Sequence, residues 1–346
     1  MRRSILISIV CLLSLAIPVA ASAAPSTGAV VYSKSTVVEG VAKGGLFAVR
    51  GGRLNQLTDD PTDTEPAFSP DGRTIAFVRG GDLFSVRPDG SGLRHLTSGP
   101  ALDSAPIVSP DGKRVVFQRC SSADGQGDLH VVRVLGGGLR ALTSGPADDR
   151  QADFSADGRL IVFVRDSEGG VNRRDDLYSV RPSGAGLVRL SRTGVDEFNP
   201  RYFAGGIVFS RGENTEGPAA YADIYTMRRD GSRAKPLVKG VGSAYVEDVA
   251  PNGRLLLFRR SQGLWAKRIG PGGASKLAQL PDESETNGVF SSNGRKVAAF
   301  VAVEEQQSLV AIDVATRRQT TLAQGLGPSE KDGTAIGPVI AWQPVR

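Results

Sequence analysis

A four-residue turn motif recurs along the chain and constrains the fold more than any other feature. It reads Ser-Pro-Asp-Gly at residues 69–72 and 109–112, and related forms stand at 155–158, 250–253 and 291–294. A short apolar segment that contains phenylalanine follows each copy. Asp-Gly and Asn-Gly pairs between apolar segments favour tight β-hairpins, because these residues tolerate positive φ angles. The chain also has 43 glycines in 346 residues, nearly twice the usual share of about 7%. We therefore predict many short antiparallel strands.

A second series of apolar segments indicates the number of units. Its members begin at Leu46, Leu83, Leu129, Leu177, Ile224, Leu264 and Leu309, at intervals of 37 to 48 residues. Units of this length, each with four short strands, are typical of β-propeller blades. Seven units can be counted, and a six-bladed ring with one degenerate unit is the alternative. The predicted fold class is all-β, a seven-bladed β-propeller.

The two ends of the repeat region complement each other. The first unit begins at its second strand, whereas residues 337–344 near the C-terminus align with the innermost strand at residues 65–70. We therefore predict that the C-terminal strand joins the N-terminal blade and closes the ring, which removes open sheet edges.

The repeated Ser-Pro-Asp-Gly motif, followed by an apolar strand with phenylalanine, resembles the Pro-Asp variant of the WD repeat in TolB-like β-propellers. The resemblance covers residues 28–346. It implies a propeller that binds partner proteins in the cell envelope. TolB itself has six blades and an additional N-terminal α/β domain; in this chain we expect seven blades, with six as the alternative, and no such domain.

The N-terminus has the order of regions of a secretory signal peptide. Two arginines precede an apolar segment, and Ala21-Ser22-Ala23 matches a cleavage site. We predict a signal peptide over residues 1–23 and a single propeller domain over residues 24–346, periplasmic or extracellular, with no membrane span after cleavage. Cleavage would remove two arginines and lower the net charge from +6 to +4. This near balance gives no reason to expect nucleic-acid binding.

The sequence disfavours a serine hydrolase. Such enzymes place the nucleophile in a Gly-x-Ser-x-Gly turn and need a histidine base. The chain lacks that pentapeptide and has two histidines, His95 and His130. His130 stands where sister repeats carry aromatic residues, so we expect it to pack rather than to catalyse. Cys120 is the single cysteine of the predicted mature chain, which excludes an internal disulfide there.

Acids and bases recur at fixed positions in the units. One acid stands where the chain enters the innermost strand, and one arginine follows the aromatic residue of the second strand. The acids are Asp63, Asp103, Asp149, Glu197 and Glu285, and the bases are Arg79, Arg119, Arg165 and Arg211. Propeller topology brings both sets to one mouth of the central channel. They either pair and hold neighbouring blades together, or form a binding surface for a cation, a basic peptide or a polar ligand.

One group of carboxylates is a candidate cation site. Asp59, Asp60, Asp63 and Glu65 supply the oxygen ligands that Ca²⁺ prefers, although such residues also cap turns through their side chains. No other cofactor is expected.

Long loops on one face complete the functional prediction. They follow Arg119, Arg165 and Arg211, and binding residues concentrate in such loops. We predict a monomeric, non-enzymatic propeller that binds an envelope protein or peptide through this face and the channel mouth. The alternatives are a polysaccharide lyase or hydrolase that uses channel carboxylates and a purely structural propeller.

Overall fold

The protein folds into seven four-stranded antiparallel sheets. The computed structural model describes residues 28–121, 126–166, 174–213, 221–240, 242–280, 288–303, 306–324 and 335–343. The predicted signal peptide lies outside these residues. In chain order the strands are β1 Val30–Val38, β2 Val41–Arg50, β3 Arg53–Gln56, β4 Asp63–Phe68, β5 Ile75–Arg79, β6 Asp82–Val86, β7 Arg94–His95, β8 Leu102–Val108, β9 Arg114–Cys120, β10 Gly127–Arg133, β11 Arg140–Ala141, β12 Asp148–Phe154, β13 Ile161–Asp166, β14 Asp175–Val180, β15 Val188–Arg189, β16 Asp196–Phe203, β17 Gly206–Glu213, β18 Tyr221–Met227, β19 Lys235–Val238, β20 Ala244–Val249, β21 Leu255–Arg260, β22 Gly263–Arg268, β23 Ala274–Gln279, β24 Val289–Phe290, β25 Lys296–Val303, β26 Gln306–Asp313, β27 Gln319–Ala323 and β28 Ala335–Trp342.

Each sheet is one blade, and successive groups of four strands form blades 2 to 7, from β4–β7 to β24–β27. Blade 1 has the order β28-β1-β2-β3. Its inner strand β28 is therefore supplied from the C-terminal end, pairing Trp342 with Val30 and Ala335 with Ser35. The predicted closure of the ring is confirmed, and the seven sheets exclude the six-bladed alternative.

Apolar side chains of neighbouring blades form the core. Seven clusters of buried residues lie one at each junction between two blades, including the junction of blades 7 and 1. Second strands are buried on both faces, as their continuous apolar sequence predicts. In blades 1 to 6, one aromatic ring at the same position of the second strand is almost completely buried: Tyr32, Phe77, Phe117, Phe163, Phe209 and Phe258. In blade 7 this position holds Ala299, and the buried Phe300 follows it.

The recurring motif forms the turn between the first and second strands of a blade. In blade 2 the Ser69 hydroxyl donates to Asp71 Oδ1 at 2.6 Å and accepts from the Thr74 amide at 3.0 Å. The Asp71 carboxylate also accepts from the Arg73 amide at 3.1 Å. Gly72 and the glycines at the same position of the other motif turns have φ angles near +65°. This left-handed conformation favours glycine.

The antiparallel order gives the ring two distinct faces. The turn face carries these motif turns and the hairpins between third and fourth strands. The rim face carries the loops between second and third strands and the crossings from one blade to the next. No helix of the described residues is long and apolar enough to cross a membrane.

Candidate functional site

The repeated acids and arginines meet directly at the rim face. Strand register pairs Asp63 with Arg79, Asp103 with Arg119, Asp149 with Arg165 and Glu197 with Arg211. Each acid begins the inner strand, and each arginine stands opposite it near the end of the second strand. We call these four pairs the rim ion pairs.

The rim ion pairs are short and buried. Arg79 contacts both Asp63 oxygens at 2.6 and 2.9 Å, and Arg165 contacts both Asp149 oxygens at 2.6 Å. The Arg119 Nε lies 2.8 Å from Asp103 Oδ1. Two nitrogens of Arg211 donate to Glu197 Oε1, at 2.8 and 2.6 Å. All four carboxylates have no exposed surface.

Aromatic rings hold the arginines in place. The Arg211 guanidinium lies 5.2 Å from the Phe209 ring centre and 4.4 Å from that of Tyr225. Arg165 is placed in the same way over Phe163 and Tyr178, at 5.7 and 5.2 Å. Cation–π contacts of this kind strengthen when they are shielded from water. The arginine positions are therefore fixed by packing as well as by charge.

Threonine hydroxyls link the acids to the preceding blade. Thr97 donates to Asp103 Oδ2 at 2.5 Å and accepts from the Leu83 amide of blade 2 at 2.8 Å. Thr58 links Asp63 to the Leu46 amide of blade 1 in the same way. At these two junctions a threonine thus links the acid of a rim ion pair to the blade before it.

The pKa values of two of the acids and two of the arginines are raised, which disfavours the charge of those acids and favours the charge of those arginines. Burial raises the pKa of Asp103 and of Glu197 above the ordinary carboxyl values. Hydrogen bonds from Arg79 to Asp63 and from Arg165 to Asp149 raise the pKa of those guanidinium groups. The charges of the rim acids are therefore balanced within the wall of the ring rather than presented as free carboxylates.

Some of the residues that the sequence predicts at this face lie outside the described residues, and one blade lacks the acid. Glu285 lies outside them, as do residues 122–125, 167–173 and 214–220 of the three long loops. In blade 6 the acid position holds Ala244, which stands opposite Arg260.

The candidate cation ligands are not gathered around one point. Asp60 accepts from the amide and hydroxyl of Thr62, at 2.9 and 2.7 Å. Glu65 accepts from the Ala105 amide in the next blade, and Asp63 belongs to a rim pair; Asp59 is the fourth candidate. Within the described residues, no group of three or more His, Cys, Asp or Glu side chains could hold a metal ion.

A long hairpin projects from the rim face at blade 1. Lys34 occupies the position of Arg79, where β5 ends, but β1 continues to Val38 before the turn into β2. At about 3.3 Å per residue, the tip stands about 13 Å beyond its blade 2 counterpart. Val37, Val38 and Val41 at this tip are 49%, 45% and 58% exposed. We call residues 35–44 the rim hairpin.

A cavity of about 370 Å³ lies at the base of the rim hairpin. Lys34 and Lys43 line it together with Phe47 from blade 1, and Leu322 and Gln324 close its far side from blade 7. The site therefore combines two cations with apolar walls next to an exposed apolar tip.

A second pocket, on the turn face, was missed by the sequence reasoning. It has a volume of about 380 Å³ and lies among the turns of blades 4, 5 and 6. Asp153, Arg201 and Asp248 line it from one equivalent position of the three inner strands. The other described inner strands carry Ala67, Ile107, Val289 and Ala341 there. This change from apolar to charged residues is the sequence signal that could have revealed the pocket.

Burial also raises the pKa of the acids in this region. The pKa of Asp153 and that of Asp248 rise to about 6, although Arg201 attracts both carboxylates. Burial raises the pKa of Glu247 in the same channel wall to about 7, against the attraction of Arg259 and Arg201. These three carboxyls therefore titrate close to neutral pH.

Comparisons with known proteins agree with this architecture. The model of the Tricorn protease N-terminal β-propeller domain matches residues 73–216. TolB from Acinetobacter baumannii superposes with a TM-score of 0.55 at 14% identity, over 91% of this chain and 82% of that one. The fold is that of a TolB-like β-propeller. No curated protein matches the sequence.

Enzymes share the TolB-like propeller fold. An oligogalacturonate lyase from Vibrio parahaemolyticus superposes with a TM-score of 0.63 at 13% identity, over 80% of this chain and 87% of the lyase. A puromycin-hydrolyzing peptidase from Mycobacterium tuberculosis reaches 0.60 at 13% identity, over 86% of this chain and 54% of the peptidase. At such identities the likeness is one of fold. The resemblance to TolB-like propellers seen in the repeats is confirmed at that level.

Proposed function

We propose that this TolB-like propeller is an exported, non-enzymatic binding protein whose partner is a protein or peptide of the cell envelope. The rim hairpin carries the proposal. A soluble protein exposes single apolar residues without consequence, but three exposed valines at the tip of a projecting hairpin expose apolar area in one place, as interaction sites do.

The backbone of the rim hairpin is also open to pairing. Strand β28 pairs with β1 as far as Ser35, and β3 pairs with β2 between Phe47 and Arg50. The Gly44 carbonyl accepts from the Gln56 side chain at 3.0 Å. Between residues 36 and 43, no other described strand pairs with either edge of the hairpin. An extended peptide can add to such an edge through main-chain hydrogen bonds, while side chains give specificity.

The surroundings of the hairpin indicate the chemistry of the partner. Lys34 and Lys43 line the cavity at its base, and they favour acidic side chains through charge complementarity. Val37, Val38 and Val41 favour apolar ones. We infer an extended partner segment that carries both apolar and acidic residues.

Crosslinking of the mature protein in envelope extract tests this proposal. A triple variant, Val37→Ser with Val38→Ser and Val41→Ser, is expected to lose the partners that the unmodified protein recovers. The matched control replaces Leu135 and Leu139 by serine, because both are exposed apolar residues away from the rim hairpin. Recovery of the same partners by all three proteins would show that the rim hairpin is not the binding surface.

The sequence also predicted a binding role for the channel-mouth acids and rim bases, and a substitution at Asp103 tests it. If they contact the ligand, Asp103→Asn is expected to weaken binding and to leave the melting temperature unchanged. Since Asp103 is buried against Arg119 and Thr97, an equal loss of binding and stability would assign the rim ion pairs to the scaffold instead.

A second candidate function is a propeller enzyme that acts on polysaccharide. Glu247 favours it, because a channel carboxyl with a pKa of about 7 suits general acid or base work near neutral pH. Oligogalacturonate, named for the Vibrio parahaemolyticus lyase, is the first substrate to test. Cleavage of oligogalacturonate, detected by chromatography and abolished by Glu247→Gln, would support an enzymatic function. If the substrate stays intact, the binding function is favoured.

A further inference from the structure

The turn-face pocket carries charges of both signs in a confined space. Asp153 and Asp248 flank Arg201 in the order of the blades. Arg229 of the blade 5 hairpin completes the charged lining, and its guanidinium also forms an exposed pair with Asp157 at 3.4 Å. Three adjacent blades thus place an acid, a base and an acid where the other described inner strands have apolar residues.

Backbone amides hold the Asp153 and Asp248 carboxylates in place, and both carboxylates can accept further hydrogen bonds. Asp153 Oδ2 accepts from the Tyr202 amide of the next blade at 2.7 Å. Asp248 accepts from the Phe290 amide of the next blade at 2.8 Å and from its neighbour Val249 at 2.7 Å. A carboxylate has about four acceptor positions, so each retains free lone pairs. Both side chains are half-buried rather than sealed.

Arg201 is held among these acids without a close ion pair. Its Nη1 donates to the Pro200 carbonyl at 3.0 Å, and no carboxylate of the described residues lies within 4.0 Å of its guanidinium. A guanidinium has five N–H donors in a planar fork that fits a carboxylate. Arg201 therefore has donors left for a ligand.

The remaining walls are apolar and suit a side chain. Phe203, Val249 and Pro251 line the pocket beside the charged groups. The volume of about 380 Å³ falls at the lower end of the range of small-molecule sites, about 300–1,000 Å³. The pocket is thus large enough for a compact ligand with one apolar group.

We propose that the turn-face pocket binds a small zwitterion with an apolar side chain, of the size of a dipeptide. Its carboxylate would contact Arg201 and Arg229, and its ammonium would contact Asp153 and Asp248. A purely anionic ligand would meet two carboxylates there, and a purely cationic one would meet two guanidinium groups. Among charged ligands, one that carries both charges can place each next to a group of opposite sign. This site lies on the face opposite the rim hairpin and is independent of the proposed partner binding.

Isothermal titration calorimetry with the dipeptide Gly-Leu tests the charge requirement. The mature protein is expected to bind one Gly-Leu at pH 7.5. The N-acetylated dipeptide lacks the ammonium and the C-amidated one lacks the carboxylate, so each is expected to bind at least about tenfold more weakly. Equal binding of all three, or no binding of Gly-Leu at millimolar concentration, would overturn the proposal.

Variants locate the binding in the pocket. Arg201→Met is expected to weaken Gly-Leu binding at least about tenfold. If that variant does not fold, Asp153→Asn serves instead, since the amide oxygen can still accept from the Tyr202 amide. The matched control is Glu65→Gln, because Glu65 also accepts an amide of the next blade but does not line the pocket. Unchanged affinity in the pocket variants, or an equal loss in the control, would exclude this pocket as the site.

Discussion

Replacement of Asp153 by asparagine is expected to stabilise the folded protein at neutral pH. Burial raises the pKa of the Asp153 carboxyl from 3.8 to about 6, against the attraction of Arg201 and two backbone hydrogen bonds. A higher pKa in the folded protein means that ionisation is less favourable there than in the unfolded chain. Since one pH unit corresponds to about 1.4 kcal/mol, ionised Asp153 lowers the free energy of unfolding by about 3 kcal/mol at pH 7.

The sign of this effect sets its pH window. Below about pH 4 the carboxyl is protonated in both states and has no such cost. Between pH 4 and about 6 the folded protein holds the proton while the unfolded chain releases it, so stability falls as the pH rises. Asparagine cannot ionise, and its oxygen can still accept from the Tyr202 amide. The expected gain is about 1–3 kcal/mol at pH 7.5 and close to zero at pH 4.

Urea unfolding followed by circular dichroism, without added ligand, measures the difference between variant and unmodified protein at each pH. Asp157→Asn is the control, because a hydrogen bond from the Ser155 hydroxyl lowers the pKa of the exposed Asp157 carboxyl. That substitution is expected to give no gain at pH 7.5. The reasoning is refuted if Asp153→Asn leaves the free energy of unfolding unchanged or lower at pH 7.5, or if its gain persists at pH 4.

Two further substitutions and one deletion test the scaffold. Arg165→Met leaves a fully buried carboxylate without its partner, so thermal unfolding should show a loss of about 3–5 kcal/mol; Arg114→Met, in an exposed pair at 3.4 Å, should cost less than about 1 kcal/mol, and equal losses would contradict the burial argument. Gly231→Ala would place a Cβ 2.2 Å from a backbone oxygen at a φ of +83° and should lower the melting temperature more than Gly51→Ala, which is unobstructed. Removal of residues 335–346 takes away β28, so calorimetry is expected to show one cooperative unfolding transition for the unmodified protein and none for the shortened one. Equal transitions in the two proteins would show that closure is dispensable.

The repeats made the fold predictable, because turn chemistry and strand spacing are local properties. Asp71 and Gly72 identify a hairpin from four residues of sequence, and the same pattern returns often enough to count the blades. Closure was also predictable, since Trp342 lies in a segment that matches an inner strand. These inferences need only the periodicity of the chain.

The site was predictable only in part, because its chemistry depends on register and burial. The sequence placed Asp149 and Arg165 at one mouth of the channel, but their two-point contact follows from the pairing of β12 with β13. The turn-face pocket was missed because Asp153, Arg201 and Asp248 are almost fifty residues apart. They become neighbours only through the order of the blades around the ring.

The way in which blade 1 is completed has consequences for synthesis and for attachment of the chain. Since β28 is the last of the described strands in the chain, the blade 1 sheet cannot be completed before the ribosome has made residues 30–342. The Gln343 amide donates to the Ala29 carbonyl at 2.7 Å, and its side-chain nitrogen donates to the Gly72 carbonyl in a motif turn at 2.8 Å. Residues 29 and 343 thus leave the ring side by side at the turn face. A tether joined next to residue 29 or residue 343 would start on the face opposite the rim hairpin, so that the propeller can be immobilised with its rim face open to a partner.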